Sequence, residues 1–330
     1  FFPISELARY RSLDTFPVVK CSRLVVRYLE LMYAALILAV YCFIRRVDIV
    51  NYSLTESYLV NYWTFWLLNK IVPKTIVTVH DVVPHTGKPD RIRAKIFRQA
   101  DALVVHNNKA RDLLCSQAPD LQQKTFVHVF PWMSHPPSGI SVLGRTKACS
   151  APLTICFVGF IRWSKGLDLL LDTWLEAYSD RTDLKLIIAG MAEFDVSYLV
   201  SRSQGSNIEW CLGRLGDKDY LQLLVDSDAV CLPYRATYAH SSVHLVAYLW
   251  ANRPIIAADV GPFSEDVGDA GVIFPVGQLN AALEEAVSKG RDGLHQMGAT
   301  GCERIREAQA GLGFELQRLY GVFRAPNQLD

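Results

Sequence analysis

The chain has 330 residues, half of them hydrophobic and one fifth charged; this excludes bulk disorder and leaves room for two domains, each with its own core. The net charge of +1 is unevenly distributed: residues 1–140 hold 17 Lys and Arg against 10 Asp and Glu, a net of +7, and residues 141–330 hold 17 against 23, a net of −6. A basic front half and an acidic back half point to two different partners.

The opening "FFPISEL" has no Met, charged n-region or cleavage pattern, so no signal peptide is expected. Residues 23–44 read as a helix. Its apolar core "LMYAALILAVYCFI" has 14 residues, fewer than the roughly 20 that span a bilayer, so a buried helix is expected. A strand follows at "VDIVNYSL", an aromatic-rich helix over 56–69, and a strand at "KTIVTVHD". Residues 91–99 look helical, "ALVVHN" is a strand, 109–116 a helix and "TFVHVF" a strand. Residues 131–152, rich in Pro, Ser and Gly and without periodicity, form the expected interdomain hinge. Beyond it come six strands, "LTICFVG", "LKLIIAG", "NIEWCLG", "AVCLPY", "RPIIAAD" and "AGVIFP", with helices after the first four and another over 279–288. This alternation is the grammar of parallel sheets covered by helices. The eight cysteines are scattered without a CxxC pair, as in a reducing compartment.

In open α/β sheets, ligands bind beyond the carboxyl ends of the strands. There "FVGFIRWSKG" places Gly159, which lets the backbone turn sharply, ahead of Arg162 and Lys165 at the start of a helix. A guanidinium and an ammonium beside a helix N-terminus suit an anion, and a diphosphate fits. A solvated loop with two surface cations is the alternative. Farther on, Ser241 or Ser242 reads as the N-cap of the apolar helix "VHLVAYLW", whose first amides can hold a phosphate. The histidines form no HxH or HExxH pattern, no P-loop or GxGxxG follows a strand, and the cations show no aromatic interleaving; neither a metal nor a nucleic-acid partner is expected.

In its order of motifs, "FVGFIRWSKG", "LKLIIAG", "CLGRLGDKDYLQLLVDSDAVCLPY" and "SSVHLVAYLWANRPIIAADVGPFSE", the chain resembles the family 4 type glycosyltransferases with the GT-B fold. The likeness is strong over 153–275 and looser over 47–133. It implies two Rossmann-like doubly wound parallel-sheet domains facing a cleft: an acceptor-side domain at 1–140, a nucleotide-sugar domain at 141–310, and a C-terminal helix (311–330) crossing back to the first domain. By the same resemblance Arg162 and Lys165 hold the donor pyrophosphate and Ser241 and Ser242 stand near its distal phosphate. Gly190, Gly213 and Arg214 border the nucleoside. His80 points into the cleft, with a core or capping role as its alternative. Asp81 is the nearest carboxylate that could act as base, with a turn or capping role as its alternative, and Glu265 is a second-rank donor contact.

Many relatives carry two glutamates eight positions apart; here those positions are Ala239 and Ala247. In this the chain resembles the bacterial exopolysaccharide, mannosyltransferase-like sub-branch, with Ser242 in place of a glycine. The family's first strand with its Gly-rich loop is not visible before Val47, so a truncated N-terminal domain is expected. The implied activity is metal-independent transfer of a hexose, with retention, from a UDP- or GDP-sugar to a saccharide or lipid-linked saccharide at the cytoplasmic face of a membrane. Arg91, Lys95 and Arg98 form a basic helical face of the kind relatives use to meet anionic lipid, with a merely solvated charged face as the alternative. The rival reading is a non-catalytic GT-B binding or scaffolding subunit; an epimerase or phosphorylase on the same architecture lacks the carboxylates and cofactor lysine motif it needs.

Overall fold

The computed structural model describes residues 17–54, 58–80, 82, 91–127, 150–235 and 242–322. Contacts divide the chain into unit 1 (Phe1–His80, Pro84–Val104, Ala118–Phe126) and unit 2 (Asp81–Val83, Val105–Gln117, Val127–Asp330). The expected boundary at 140 falls within 128–149, outside the described residues.

Unit 1 contains α1 (Pro17–Ile44), β1 (Ile49–Ser53), α2 (Tyr58–Ile71), β2 (Lys74–Thr78), α3 (Arg91–Gln99), β3 (Ala102–Val105) and β4 (Thr125–Val127). The strands lie in the order β1-β2-β3-β4, with β1 on β2 and β2 on β3 parallel. Every residue of β3 and all but the first of β2 are buried, as apolar runs covered on both faces must be. α1 ends where Arg46 turns left-handed (φ 48°) and the Val47 and Arg46 amides donate back to the carbonyls of Cys42 and Phe43. That is a Schellman ending, with Val47 packed against the cluster of Cys42, Leu68 and Val72. α1 rests on α2 through a narrow stripe of small side chains, Ala35, Ala39 and Cys42. The expectation of a buried helix fails over much of residues 28–44, where Tyr33, Leu36, Ile37, Val40, Phe43 and Ile44 are exposed.

Unit 2 takes α4 (Asn108–Gln117) and then β5 (Leu153–Val158), α5 (Leu167–Ala177), β6 (Leu184–Gly190), α6 (Ser197–Arg202), β7 (Ile208–Leu212), α7 (Asp217–Asp226) and β8 (Ala229–Leu232). It continues with α8 (Val243–Ala251), β9 (Ile255–Ala258), α9 (Phe263–Asp266), β10 (Val272–Phe274) and α10 (Leu279–Val322). All six expected strands form one sheet, ordered β10-β9-β8-β5-β6-β7, and each pairing is parallel. α9 is absent from the sequence expectation. α10 runs far beyond the expected 279–288, broken only at Gly290 (φ 64°, ψ 179°), and residues 314–322 continue it instead of starting a separate helix.

From β5 the chain winds outward through β6 and β7, then returns to β8 on the other side of β5 and winds outward again. The order therefore reverses between β5 and β8, and a crevice opens at their carboxyl ends. At the opposite end Asp228, 1% exposed, fixes the base of the sheet. Its Oδ2 accepts the Thr154 amide at 2.8 Å, and its Oδ1 lies 3.0 Å from Arg291 Nε and 3.3 Å from His295 Nε2, both on α10. Burial and the neighbouring Arg253 guanidinium hold the His295 imidazole below its ordinary range despite Asp228. Removing one member of a buried pair strands the other charge. Asp228→Ala is expected to destabilise unit 2 by about 3 kcal/mol, read as a lowered urea midpoint; an unchanged midpoint contradicts the anchoring role.

Candidate functional site

β5 is followed by Gly159, whose φ of +114° is open to glycine and strained for other residues. Its backbone stays zipped to the end of β6: the Gly159 amide donates to Ala189 O (3.1 Å), the Ile161 amide to Met191 O (2.9 Å) and the Glu193 amide to Ile161 O (3.1 Å). A tight turn, Trp163–Lys165, follows and is closed by left-handed Gly166. A Cβ on Gly166 would sit 2.0 Å from Pro233 O, so only glycine lets this turn press against the segment leaving β8. The Arg235 amide completes the contact by donating to Ser164 O at 2.8 Å.

That packing aims Lys165 back across the crevice. A Cβ built on Gly159 would lie 3.3 Å from Lys165 Nζ and 3.7 Å from a methyl of Val243, the first residue of α8. The ammonium also stands 5.2 Å from the centre of the Tyr234 ring. The strand end, the lysine and the helix start therefore converge on one point. Ser242 occupies the N-cap position, one of the two the sequence offers, and its hydroxyl makes no capping bond. The first amides of α8, which have no acceptor within the helix, are thus not satisfied by that side chain. Ser241 lies outside the described residues, as does Asp81.

Arg162 is placed differently. Its Nε and Nη2 both approach Glu193 Oε1 at 2.7 Å, with each side chain about two fifths exposed. Gly190 packs so closely that a Cβ on it would lie 1.9 Å from Gly159 O, which joins the two strand ends beneath Arg162 and Glu193. Gly213 (φ +123°) donates its amide to Gly190 O at 3.0 Å, and Arg214 beside it is exposed. Gly159, Gly190 and Gly213 are therefore contiguous along the carboxyl edge. In unit 1, His80 follows the end of β2 and is half-buried.

Glu265, on α9, caps α4, both within unit 2. Its Oε1 accepts the Asn108 amide (3.0 Å) and Asn108 Nδ2 (2.6 Å), and its Oε2 accepts the Lys109 amide (3.0 Å). With Asn107 Oδ1 taking the Ala110 amide (2.7 Å), three amides at the start of α4 are satisfied. In this structure the Glu265 carboxylate is engaged in that cap.

Sequence reasoning missed several neighbours of the site. His244, 1% exposed in the first turn of α8, has Nε2 2.9 Å from Asp266 Oδ2 and its ring edge-on to Phe263. Phe263 also meets Tyr234 edge-on, so one aromatic supports both the start of α8 and the ring beside Lys165. Arg235 pairs with Asp168 at 2.5 Å and lies 4.6 Å from the Trp163 ring centre, bracing the turn that carries Lys165. Asp168 carries a visible signal, an acid in the first turn of a helix; for the others none is visible without strand register.

Residues 152–290 match the family model described as Glycosyl transferases group 1, under half of the chain. The D-rhamnosyltransferase WbpZ of Pseudomonas aeruginosa is 24% identical over 261 residues, 73% of this chain and 64% of the relative. The GDP-mannose:glycolipid 4-beta-D-mannosyltransferase of Xanthomonas campestris is 25% identical over 211 residues, 62% and 57% of the two chains. The chain thus spans about three fifths of the length of these curated relatives. The crystal structure of Anabaena Alr3699/HepE in complex with UDP and glucose superposes with a TM-score of 0.66 at 14% identity, over 88% of this chain and 81% of that one. The fold class is that of the GT-B glycosyltransferases, α/β with parallel sheets in two domains.

If Glu193 competes with an incoming anion for Arg162, its neutralisation frees that cation. A half-exposed pair contributes about 0.2–1 kcal/mol, so Glu193→Gln is expected to tighten inorganic pyrophosphate binding by up to about fivefold in titration calorimetry. Weaker binding would mean that Glu193 holds Arg162 in its working position.

Proposed function

We propose that the chain is a glycosyltransferase that moves a hexose or deoxyhexose from a nucleoside diphosphate sugar to a saccharide or lipid-linked saccharide in glycan synthesis. The observation that carries the reading is the convergence of Lys165 Nζ, Gly159 and the start of α8 at the crevice between β5 and β8. The names of the relatives support the class: one is a rhamnosyltransferase, another uses GDP-mannose and a glycolipid, and the Anabaena structure holds UDP and glucose. UDP and GDP donors both fit this support, and the exopolysaccharide sub-branch is the assignment preferred.

Breaking the bond between sugar and phosphate leaves negative charge on the departing diphosphate. A fixed ammonium and helix-start amides at that charge stabilise the transition state, and Arg162, once released by Glu193, adds a planar fork. Cations already in place allow the reaction to run without a metal. In the retaining form of this reaction a diphosphate oxygen accepts the acceptor's proton, which suits a helix that carries buried Ala247 where a carboxylate is common in relatives. His80, and Asp81 as the base of an inverting alternative, are assigned to the acceptor side. The protein is assigned to the cytoplasm, in peripheral contact with the inner face of the membrane.

Losing one such donor costs about 3–4 kcal/mol of barrier. Arg162→Ala and Lys165→Ala are each expected to lower turnover by two orders of magnitude or more in a sugar-transfer assay; near-normal rates contradict the assignment. The same alanine at 247 favours a second reading, a GT-B subunit that binds without catalysis. Nucleotide binding with neither transfer nor donor hydrolysis would select it.

A further inference from the structure

On α1, Tyr33, Leu36, Ile37, Val40, Phe43 and Ile44 are 48–71% exposed, although residues 31–44 contain no charged side chain. Only Ala35, Ala39 and Cys42 of that stretch are buried. At about 100° per residue, these three cover a narrow stripe, and the remaining two thirds or so of the circumference is apolar and open. Exposed surface of this kind and extent marks an interaction site.

We propose that α1 lies in the plane of an anionic bilayer, with its outer face among the acyl chains. The width of the face selects lipid as the occupant. A partner helix, including a second copy of α1, covers a stripe roughly 100° wide, whereas a fluid acyl phase wets a convex face of any width.

The charge pattern points the same way. Arg45 and Arg46 follow the apolar stretch directly and are both exposed, and the helix carries Lys20, Arg23 and Arg27 against one acid, Glu30. Cations at both ends of an uncharged run suit phosphate headgroups. The Arg45 guanidinium lies 6.0 Å from the Tyr41 ring centre, and on α2 the Lys70 ammonium lies 5.3 Å from exposed Trp66; aromatic rings paired with cations belong at the headgroup level. No helix among the described residues is long and apolar enough to cross a membrane.

α3, the basic helix that the sequence singles out for this role, is less suited to it. Its Arg98 is bound to Asp120 (3.1 Å) and its Lys95 to the Tyr62 hydroxyl (2.6 Å). The inference rests on the membrane part of the reading above and not on sugar transfer. Vesicle binding needs neither donor nor acceptor, so a chain that transfers sugar yet ignores vesicles sinks this inference alone.

The test is flotation of the full chain with vesicles of phosphatidylcholine, with and without phosphatidylglycerol, at low and high salt and without nucleotide. The expected result is partition onto the anionic vesicles, weakened by salt. Arg45→Gln with Arg46→Gln should lower it roughly 30-fold, from about a fivefold effect per cation, and Leu36→Ser with Phe43→Ser at least about tenfold. All four side chains are exposed, so folding is expected to survive, and far-UV circular dichroism with melting temperature verifies it. A wild-type chain that stays unbound at low salt overturns the proposal. So does partition that is indifferent to all four substitutions, or self-association in sedimentation velocity that the Leu36 and Phe43 changes abolish while vesicle binding persists.

Discussion

Because residue 159 has no side chain, the Lys165 ammonium can lie against the end of β5 and the first residue of α8 at once. Every other feature of the crevice follows from that close packing. The turn from Trp163 to Lys165 reaches the position only because Gly166 tolerates the Pro233 carbonyl at its Cα, and Arg235, held by Asp168, keeps the turn there. The sheet supplies the location, since its order reverses between β5 and β8. A Cβ at 159 would crowd the Lys165 ammonium at 3.3 Å, and the positive φ there strains any other residue.

The charges around the crevice are mostly paired. Arg162 faces Glu193, Arg235 faces Asp168, His244 faces Asp266, and Glu265 is taken up by the amides of α4. Lys165 differs, since among the described residues it stands against the Tyr234 ring face and the bare Cα of Gly159. The Lys165 ammonium and the start of α8 thus lie together at the end of β5, with Arg162 held by Glu193 nearby. Fixed positive groups of this kind oppose charge that develops late in a reaction and need little rearrangement to do so.

Much of this architecture is legible in the sequence, because apolar runs ended by Gly159, Gly190 and Gly213 announce strand ends, and the intervening amphipathic segments announce helices. What eludes it is register. β5 and β6 pair with an offset of 31, from Leu153 with Leu184 to Val158 with Ala189, and the same offset carries past the strands to join Ile161 with Ala192 and Arg162 with Glu193. Parallel strands have no hairpin to fix that number in advance. Aligning Gly159 with Gly190 would have supplied it. The capping of α4 by Glu265 spans 157 residues, and no local propensity encodes it. The exposed circumference of α1 is equally hidden, for an apolar helix reads alike whether protein or lipid covers it.

The most direct test of the central claim is the melting temperature of the chain in the presence of UDP or GDP, compared with uridine or guanosine. A ligand at a hundredfold its dissociation constant stabilises the folded state by about 2.7 kcal/mol. A rise with at least one diphosphate, little or none with the nucleosides, and loss of the rise in Lys165→Met is the predicted result. An equal rise in Lys165→Met, or none with either diphosphate, would contradict it.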